Sequence, residues 1–233
     1  MITTAGFLLI NKPIGITSHD VIDILRHVTH VQKIGHAGTL DPFASGLLLV
    51  AIGKSATKQI SRFVKLDKKY VALLRLGATS DTYDRTGVIT STIGHQDSKV
   101  SQERIQENLR PFIGNIQQTP PMYSAKKIHG KKLYEWARQG IEIERQPTTI
   151  TIHSIELLRY EFPILELNIH CSSGTYIRSL AHDVGQNLGV GAYLESLTRT
   201  HIGSFQLQYA TEIQSLQEEQ HWEKFLFDQT TLL

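Results

Sequence analysis

The longest uncharged apolar run of the chain, residues 47–52 (LLLVAI), directly follows residues 35–46 (GHAGTLDPFASG), a turn-like segment that holds three glycines. A short apolar run bounded by glycines is typical of a buried strand. Glycines at this density indicate positive φ angles or a close backbone approach. The two segments therefore predict a buried strand that emerges from a tight turn.

Asp41 in this turn is the first candidate for chemistry. Pro42 follows it, and a proline pushes the preceding residue out of the helical region and stiffens its backbone. A carboxylate fixed in this way is well placed for presentation into a cleft. Asp-Pro pairs are also common in ordinary turns, so on local physics alone a turn role outweighs a catalytic one.

Helix and strand periods alternate along the rest of the chain. The spacing of apolar residues predicts strands in residues 7–10, 69–76, 150–157 and 164–171. It predicts helices that follow Thr17 or Ser18, Ser55, Ser101, residue 132 and Gly174. Several strands neighbour each other without a helix between them. This pattern favours a mixed or antiparallel sheet with helices packed on it, an α+β domain.

Composition excludes several functional classes. The single cysteine excludes an internal disulfide framework and a four-cysteine zinc site. The histidines show no paired metal spacing, so no metal is expected. Gly53-Lys54-Ser55 is not the end of a phosphate-binding loop, because Leu48 stands where that motif needs a glycine. The N-terminal apolar run is too short for a signal peptide or a membrane span, which predicts a cytoplasmic protein.

The positive charge of the chain is local. The 24 Lys and Arg residues against 22 Asp and Glu residues give a net charge of only +2. Residues 126–138 nevertheless carry five basic residues and one acid, with Tyr134 and Trp136 interleaved. Such a stretch predicts attraction of nucleic-acid phosphates, and a solvated basic loop and helix is the plain alternative.

Taken together, the motifs resemble those of the TruB-type tRNA pseudouridine synthases. Residues 35–46 are similar to the family's central motif GHxGTLDPxAxG. Further resemblances follow the family's order over most of the chain, in residues 11–18 (NKPIGITS), 69–70 (KY), 118–127 (QTPPMYSAKK), 173–180 (SGTYIRSL) and 197–200 (LTRT).

This resemblance implies a fold and an activity. The fold would be the pseudouridine synthase fold, a mixed and mostly antiparallel sheet flanked by helices, with a thumb-like insertion at about residues 118–148. Residues 1–210 would form the catalytic domain, and residues 211–233 a short extension without a complete PUA domain. The activity would be isomerisation of uridine to pseudouridine at position 55 in the T-loop of tRNA, without cofactor or metal. The expected partner is the tRNA T-arm, bound by a monomer.

The resemblance also assigns roles to single residues. Asp41 would be the essential catalytic carboxylate, and Arg178 would pair with it. Tyr70 would stack on the flipped base, and His36 would occupy the place that the base leaves. The remaining expected contacts to substrate come from Tyr176, Leu197 as an apolar pocket wall, Lys12 as a structural and RNA-facing residue, and the thumb lysines Lys126, Lys127, Lys131 and Lys132.

Two other functions stay open from the sequence. One is a tRNA-binding and tRNA-folding chaperone without catalysis, and the other is a synthase that acts on a different RNA. Asp41, Tyr70 and Arg178 together favour the enzyme, because binding alone needs no carboxylate that faces a polyanion.

Overall fold

A computed structural model describes residues 5–92, 100–128, 130–218 and 221–227. The chain divides into two compact units: the terminal unit, Met1–Tyr70 with Leu197–Leu233, and the central unit, Val71–Ser196. The expected catalytic domain of residues 1–210 with a short extension of residues 211–233 stays a prediction. No helix in these described ranges is long and apolar enough to cross a membrane.

The described residues form strands and helices in the following order. The strands are β1 (Gly6–Lys12), β2 (Ile34–His36), β3 (Ser45–Ile52), β4 (Lys68–Leu76), β5 (Ala78–Ser80), β6 (Ile89–Ser91), β7 (Gly114–Gln118), β8 (Lys127–Ile128), β9 (Lys131–Lys132), β10 (Thr148–Glu161), β11 (Ile164–Cys171), β12 (Ala192–Ile202), β13 (Phe205–Gln206) and β14 (Thr211–Glu212). The α-helices are α1 (Ser18–Thr29), α2 (Lys54–Thr57), α3 (Ser61–Val64), α4 (Gln102–Leu109), α5 (Leu133–Ala137), α6 (Ile177–Leu188) and α7 (Ile213–Glu218). Single 3-10 turns lie at Arg110–Phe112, Leu207–Tyr209 and Trp222–Phe225.

Strand β3 organises the terminal unit. Strand β1 pairs antiparallel with it from Gly6↔Ile52 to Lys12↔Gly46, and β2 pairs antiparallel with its last residues. The end of β12 pairs with its first residues in parallel, and β14 adds to β1 in parallel. The sheet is therefore mixed, as the sequence predicts.

The side chains of β3 alternate between two apolar cores. Leu48, Val50 and Ile52 enter a cluster with residues of α1 and α7. Leu47, Leu49 and Ala51 enter a second cluster with Phe7 and Phe205. Successive side chains of a strand point to opposite faces, so an uninterrupted apolar run is buried only where both faces are covered.

Residues after 210 complete the first of these clusters. Ile213 and Leu216 of α7, together with Trp222, are buried with the residues of α1. The described part of the C-terminal segment therefore adds a strand and a helix to the terminal unit. The sequence predicts this closing role.

The central unit has the strand order β4-β11-β10-β7. Strands β10 and β11 pair antiparallel down to Glu161↔Ile164, and β7 pairs antiparallel with the start of β10. Within the thumb-like insertion, β8 and β9 form a short hairpin that leads into α5.

Most predicted elements are present, with two corrections. The helix predicted after Ser55 is two separate turns, α2 and α3, because the intervening amides of Gln59 and Ile60 donate to carbonyls three residues back. Strand β12 has no counterpart among the predicted elements, and neither have β7 and the short strands β2, β5, β6, β8, β9 and β13. The predicted core position of Cys171 is confirmed, since its side chain is buried.

Asp183 in helix α6 is an acid whose pKa is shifted by burial, so the free energy of unfolding should depend on pH. Burial raises the pKa of Asp183 from 3.8 to about 6. An acid with a raised pKa contributes stability at low pH and loses it as the pH rises through the folded value.

Asp183→Asn should therefore raise the Tm at about pH 7.5, where the native carboxylate is charged. After discounting for partial exposure, the gain is on the order of 1 kcal/mol, or about 2–4 °C. The gain should disappear below about pH 3, where both states bind the proton. Asp23→Asn, at an exposed salt bridge with Arg26, is the control in thermal melts. A gain that is independent of pH would contradict the assignment.

Candidate active site

The loop that carries Asp41 is fixed on both sides of the carboxylate. Before it, the buried Ser18 hydroxyl donates to the Leu40 carbonyl at 3.1 Å and accepts from the Leu40 amide at 2.8 Å. After it, the Gly15 amide donates to the Pro42 carbonyl at 2.8 Å. Asp41 itself is half-buried, and its carbonyl accepts from the Ala44 amide. The predicted stiff turn therefore has specific hydrogen bonds that hold it.

Arg199 lies buried against the same loop. Its guanidinium donates to the carbonyls of Gly38 at 3.0 Å and Thr39 at 3.4 Å, and from Nε to Leu47 at 2.7 Å. It also hydrogen bonds with the Tyr70 side chain. One side chain thus joins both ends of the loop to the tyrosine in the terminal unit.

Lys12 lies in the same part of the terminal unit. Its ammonium donates to the carbonyls of Pro13 and Ile16, each at 2.8 Å. Burial lowers its pKa to about 8, attraction to Asp41 opposes this shift, and repulsion from Arg199 adds to it. The expectation that Lys12 faces RNA needs correction, because its side chain has no exposed surface and both hydrogen bonds are internal.

His36 ends β2 just before the loop. Burial lowers its pKa, and the Arg199 cation lowers it further. Its Nδ1 is buried, with no hydrogen-bond partner within the part of the chain that the structure describes. A neutral ring at this position suits the expected contact with stacked bases, which remains a prediction.

Tyr70 and Leu197 are both buried in the terminal unit, 8% and 7% exposed. Tyr70 shares its strand face with the buried Ala72, Leu74 and Leu76, as its spacing predicts. Its hydroxyl end is tied to Arg199, so the ring is held in place. Stacking on a flipped base and an apolar pocket wall stay predictions for these two residues.

Arg178 occupies a buried position in the first turn of α6. Its guanidinium donates to the carbonyls of Tyr123 at 2.7 Å and Thr82 at 3.2 Å, and lies 3.4 Å from the Asp84 carboxylate. The solvated arginine that a helix surface would give is therefore excluded. Asp41 belongs to the other unit, and its pairing with Arg178 remains a prediction.

Asp84 is itself held rigidly. Its side chain is 5% exposed and accepts hydrogen bonds from the Thr82 hydroxyl and from the amide and hydroxyl of Thr86. A buried carboxylate with this many donors keeps a fixed orientation. It places a carboxylate 3.4 Å from the Arg178 guanidinium inside the central unit.

Gln118 fixes the backbone of Tyr176, the residue before α6. The side-chain amide donates to the Tyr176 carbonyl at 3.0 Å, and its oxygen accepts from the Tyr176 amide at 2.8 Å. The Ser179 hydroxyl donates to the Thr119 carbonyl. Residues 118–124 therefore position the start of α6, including Tyr176 and Arg178.

The four thumb lysines differ in exposure. Lys127 and Lys131 are exposed, whereas Lys126 and Lys132 are partly buried. The Lys126 ammonium donates to the Thr148 hydroxyl at 3.0 Å, and the Lys131 ammonium lies 4.6 Å from the centre of the Trp136 ring. Lys126 also borders a pocket of about 200 Å³ that is lined by Gln118, Pro120, Lys126, Thr148, Ile150, Gly174 and Tyr176.

Sequence reasoning missed four residues of this arrangement: Ser18, Asp84, Gln118 and Arg199. Three of them stand inside the quoted motifs, where polar residues beside a tight turn are a usable signal. Asp84 lies between Thr82 and Thr86, and this spacing of hydroxyls around an acid was the only local sign.

Two family models match the chain. The model described as "TruB family pseudouridylate synthase (N terminal domain)" matches residues 26–177. The model described as "tRNA pseudouridylate synthase B C-terminal domain" matches residues 178–232. Together they cover the loop of Asp41 and the segment of Arg178.

Relatives of known name support the same assignment. The tRNA pseudouridine synthase B of Protochlamydia amoebophila is 50% identical over 87% of this chain and 76% of its own. That of Dehalococcoides mccartyi is 47% identical over 91% of this chain and 70% of its own. Among solved structures, a chain of a Cbf5-Nop10-Gar1 complex is similar with a TM-score of 0.76 and 28% identity. This likeness covers 97% of the present chain and 60% of that one. The chain thus belongs to the TruB family of pseudouridylate synthases.

Proposed function

We propose that the protein isomerises a uridine of tRNA to pseudouridine, at position 55 in the T-loop. The observation that carries this proposal is the Asp41 carboxylate on a loop that Ser18, Gly15 and Arg199 hold by hydrogen bonds. Relatives at 47–50% identity bear the name tRNA pseudouridine synthase B. We also expect the protein to act as a monomer in the cytoplasm.

The reaction breaks one bond and forms another on the same sugar carbon. The glycosidic bond from C1′ to N1 of uracil breaks, the base turns, and C1′ bonds to C5. The proton on C5 is lost and N1 takes one up, so the product is an isomer of the substrate. Asp41 would act either by attack on the sugar or base or by proton abstraction from the ribose.

Access to the base requires its removal from the stacked loop, which costs a few kcal/mol. Stacking on the Tyr70 ring would return about 1–3 kcal/mol of this. His36, neutral because burial and Arg199 lower its pKa, would fill the vacated position without burying a charge.

The thumb lysines would supply attraction to the RNA backbone. Lys127 and Lys131 are the exposed members of the group and are free to approach phosphates. Lys131 and Lys132 lie over the rings of Trp136 and Tyr134, and these contacts restrict the long side chains before RNA binds.

Asp41→Asn should abolish product formation while tRNA binding persists. Replacing a catalytic carboxylate by an amide should lower the single-turnover rate by about 100- to 10,000-fold. Carbodiimide mapping of unmodified tRNA after incubation with saturating enzyme measures the product. Asp23→Asn, an exposed change in the same unit, should retain the wild-type rate.

This experiment also separates the alternative functions. A binding chaperone would leave tRNA unmodified with wild-type protein. A synthase for another RNA would modify that RNA and not tRNA. Product formed by Asp41→Asn at the wild-type rate would contradict the role of the carboxylate.

Neutralising the exposed thumb lysines should weaken tRNA binding and flatten its salt dependence. Each phosphate contact contributes about 0.7–0.9 to the slope of log K against log salt, so Lys127→Gln with Lys131→Gln should reduce the slope by about 1.4–1.8. Filter binding over a salt series measures it. Lys54→Gln with Lys58→Gln removes the same charge from exposed positions of the terminal unit. Equal slopes for the wild type and the thumb variant would contradict the assignment.

Asp84→Asn should impair both folding and rate, because it leaves the Arg178 cation buried without its counter-charge. Breaking a buried ion pair costs about 3–5 kcal/mol of stability. We expect a lower Tm and a single-turnover rate reduced by about 10-fold or more, measured below the new Tm. Glu161→Gln, at the exposed pair with Arg159, is the matched control. An unchanged rate in folded Asp84→Asn would show that Arg178 functions without Asp84.

A further inference from the structure

Arg199 is the largest fully buried side chain of the described residues, and it is charged. The residue is 1% exposed, and its guanidinium donates to the carbonyls of Gly38, Thr39 and Leu47. The first two precede Asp41 and the third follows it. The guanidinium therefore connects the residues before Asp41 to a residue after it.

The main chain of Arg199 is as constrained as its side chain. Arg199 pairs with Gly46 in parallel, and a Cβ on Gly46 would lie 2.4 Å from the Arg199 carbonyl oxygen. Gly46 also has a φ of 105°, which disfavours any other residue. The arginine thus reaches the loop from a strand whose distance to β3 is fixed.

The hydrogen bonds to the loop do not by themselves explain why a charged side chain is buried at position 199. Burying a charge costs several kcal/mol, and an apolar side chain of similar volume often stabilises a core equally well. The hydrogen bond of Arg199 with Tyr70 supplies the additional reason. It links the loop of Asp41 to the ring that is expected to receive the base.

The position of the charge is also informative. The Arg199 cation lowers the pKa of Lys12 and of His36, so it lies close to both. Lys12 in turn interacts with Asp41. Arg199 therefore lies close to both Lys12 and His36, beside the loop of Asp41.

We propose that Arg199 is a positioning residue for the reaction, which sets the Asp41 loop and the Tyr70 hydroxyl in one fixed arrangement. The inference rests on the proposed function, but its test compares variants with a wild type that must itself form pseudouridine. A wild type without product would refute the proposed function, whereas an unaffected variant beside an active wild type refutes only this inference.

The test is a double-mutant cycle of Arg199→Lys and Tyr70→Phe. Lysine keeps the charge but lacks the planar guanidinium fork that donates to the Gly38, Thr39 and Leu47 carbonyls, and phenylalanine keeps the ring and removes the hydroxyl. Single-turnover rates at saturating enzyme report the chemical step, and the Kd for tRNA is measured separately. Arg104→Lys is the matched control, because it removes a guanidinium donation to the Leu188 carbonyl in the central unit.

We expect Arg199→Lys to lower the single-turnover rate by about 10-fold or more and to leave the Kd within about 2-fold. The double variant should be little slower than the slower single variant, because both changes disrupt one arrangement. Arg104→Lys should keep the wild-type rate. Circular dichroism and thermal melts establish that each variant is folded.

Three results would overturn the proposal. One is a folded Arg199→Lys with the wild-type rate. The second is a rate loss that multiplies with that of Tyr70→Phe, which indicates independent action. The third result concerns the case in which Arg199→Lys fails to fold. A wild-type rate for Tyr70→Phe, which keeps the ring and removes the hydroxyl, would then overturn the proposal.

Discussion

The burial of β3 on both faces is the constraint on which the terminal unit depends. Its six apolar residues alternate between two cores, so a shift of one residue would exchange every side chain between them. Pairing with β1 from Gly46 to Ile52 fixes this register. The loop of Asp41 ends where β3 begins. The register of this buried strand therefore also sets the position of the carboxylate.

Much of this was predictable because it depends on local patterns. The apolar spacing of α1, the alternation of β4, and the Gly189 end of α6 each follow from a few neighbouring residues, and the structure has all three. Of the two caps that the sequence offers for α1, Thr17 and Ser18, the structure has Thr17. Strand β12 escaped prediction because its burial pattern is irregular and its pairing with β3 joins residues about 150 positions apart. Single-sequence periodicity carries no information about such a partner.

In the candidate site, too, local features were predictable and long-range contacts were not. The turn of Asp41 and the first-turn position of Arg178 were visible in the sequence. The partners that hold them were not, since Leu40 meets Ser18 and Arg178 meets Asp84 through contacts that only the folded chain brings together. Lys12 illustrates the risk in the opposite direction. The family resemblance implied a structural and RNA-facing lysine, yet its ammonium donates to two internal carbonyls.

Four buried basic side chains donate hydrogen bonds to main-chain carbonyls, and this type of acceptor bears on RNA binding. Lys12, Lys68, Arg178 and Arg199 all donate to main-chain carbonyls. A carbonyl satisfies the donor and fixes the loop that bears it, but it carries no formal charge to cancel the cation. Arg199 can therefore order the loop of Asp41 while its charge still acts on the surroundings, as the lowered pKa of His36 near Arg199 indicates. A chain with a net charge of only +2 can in this way keep positive potential close to a carboxylate that must meet a polyanion.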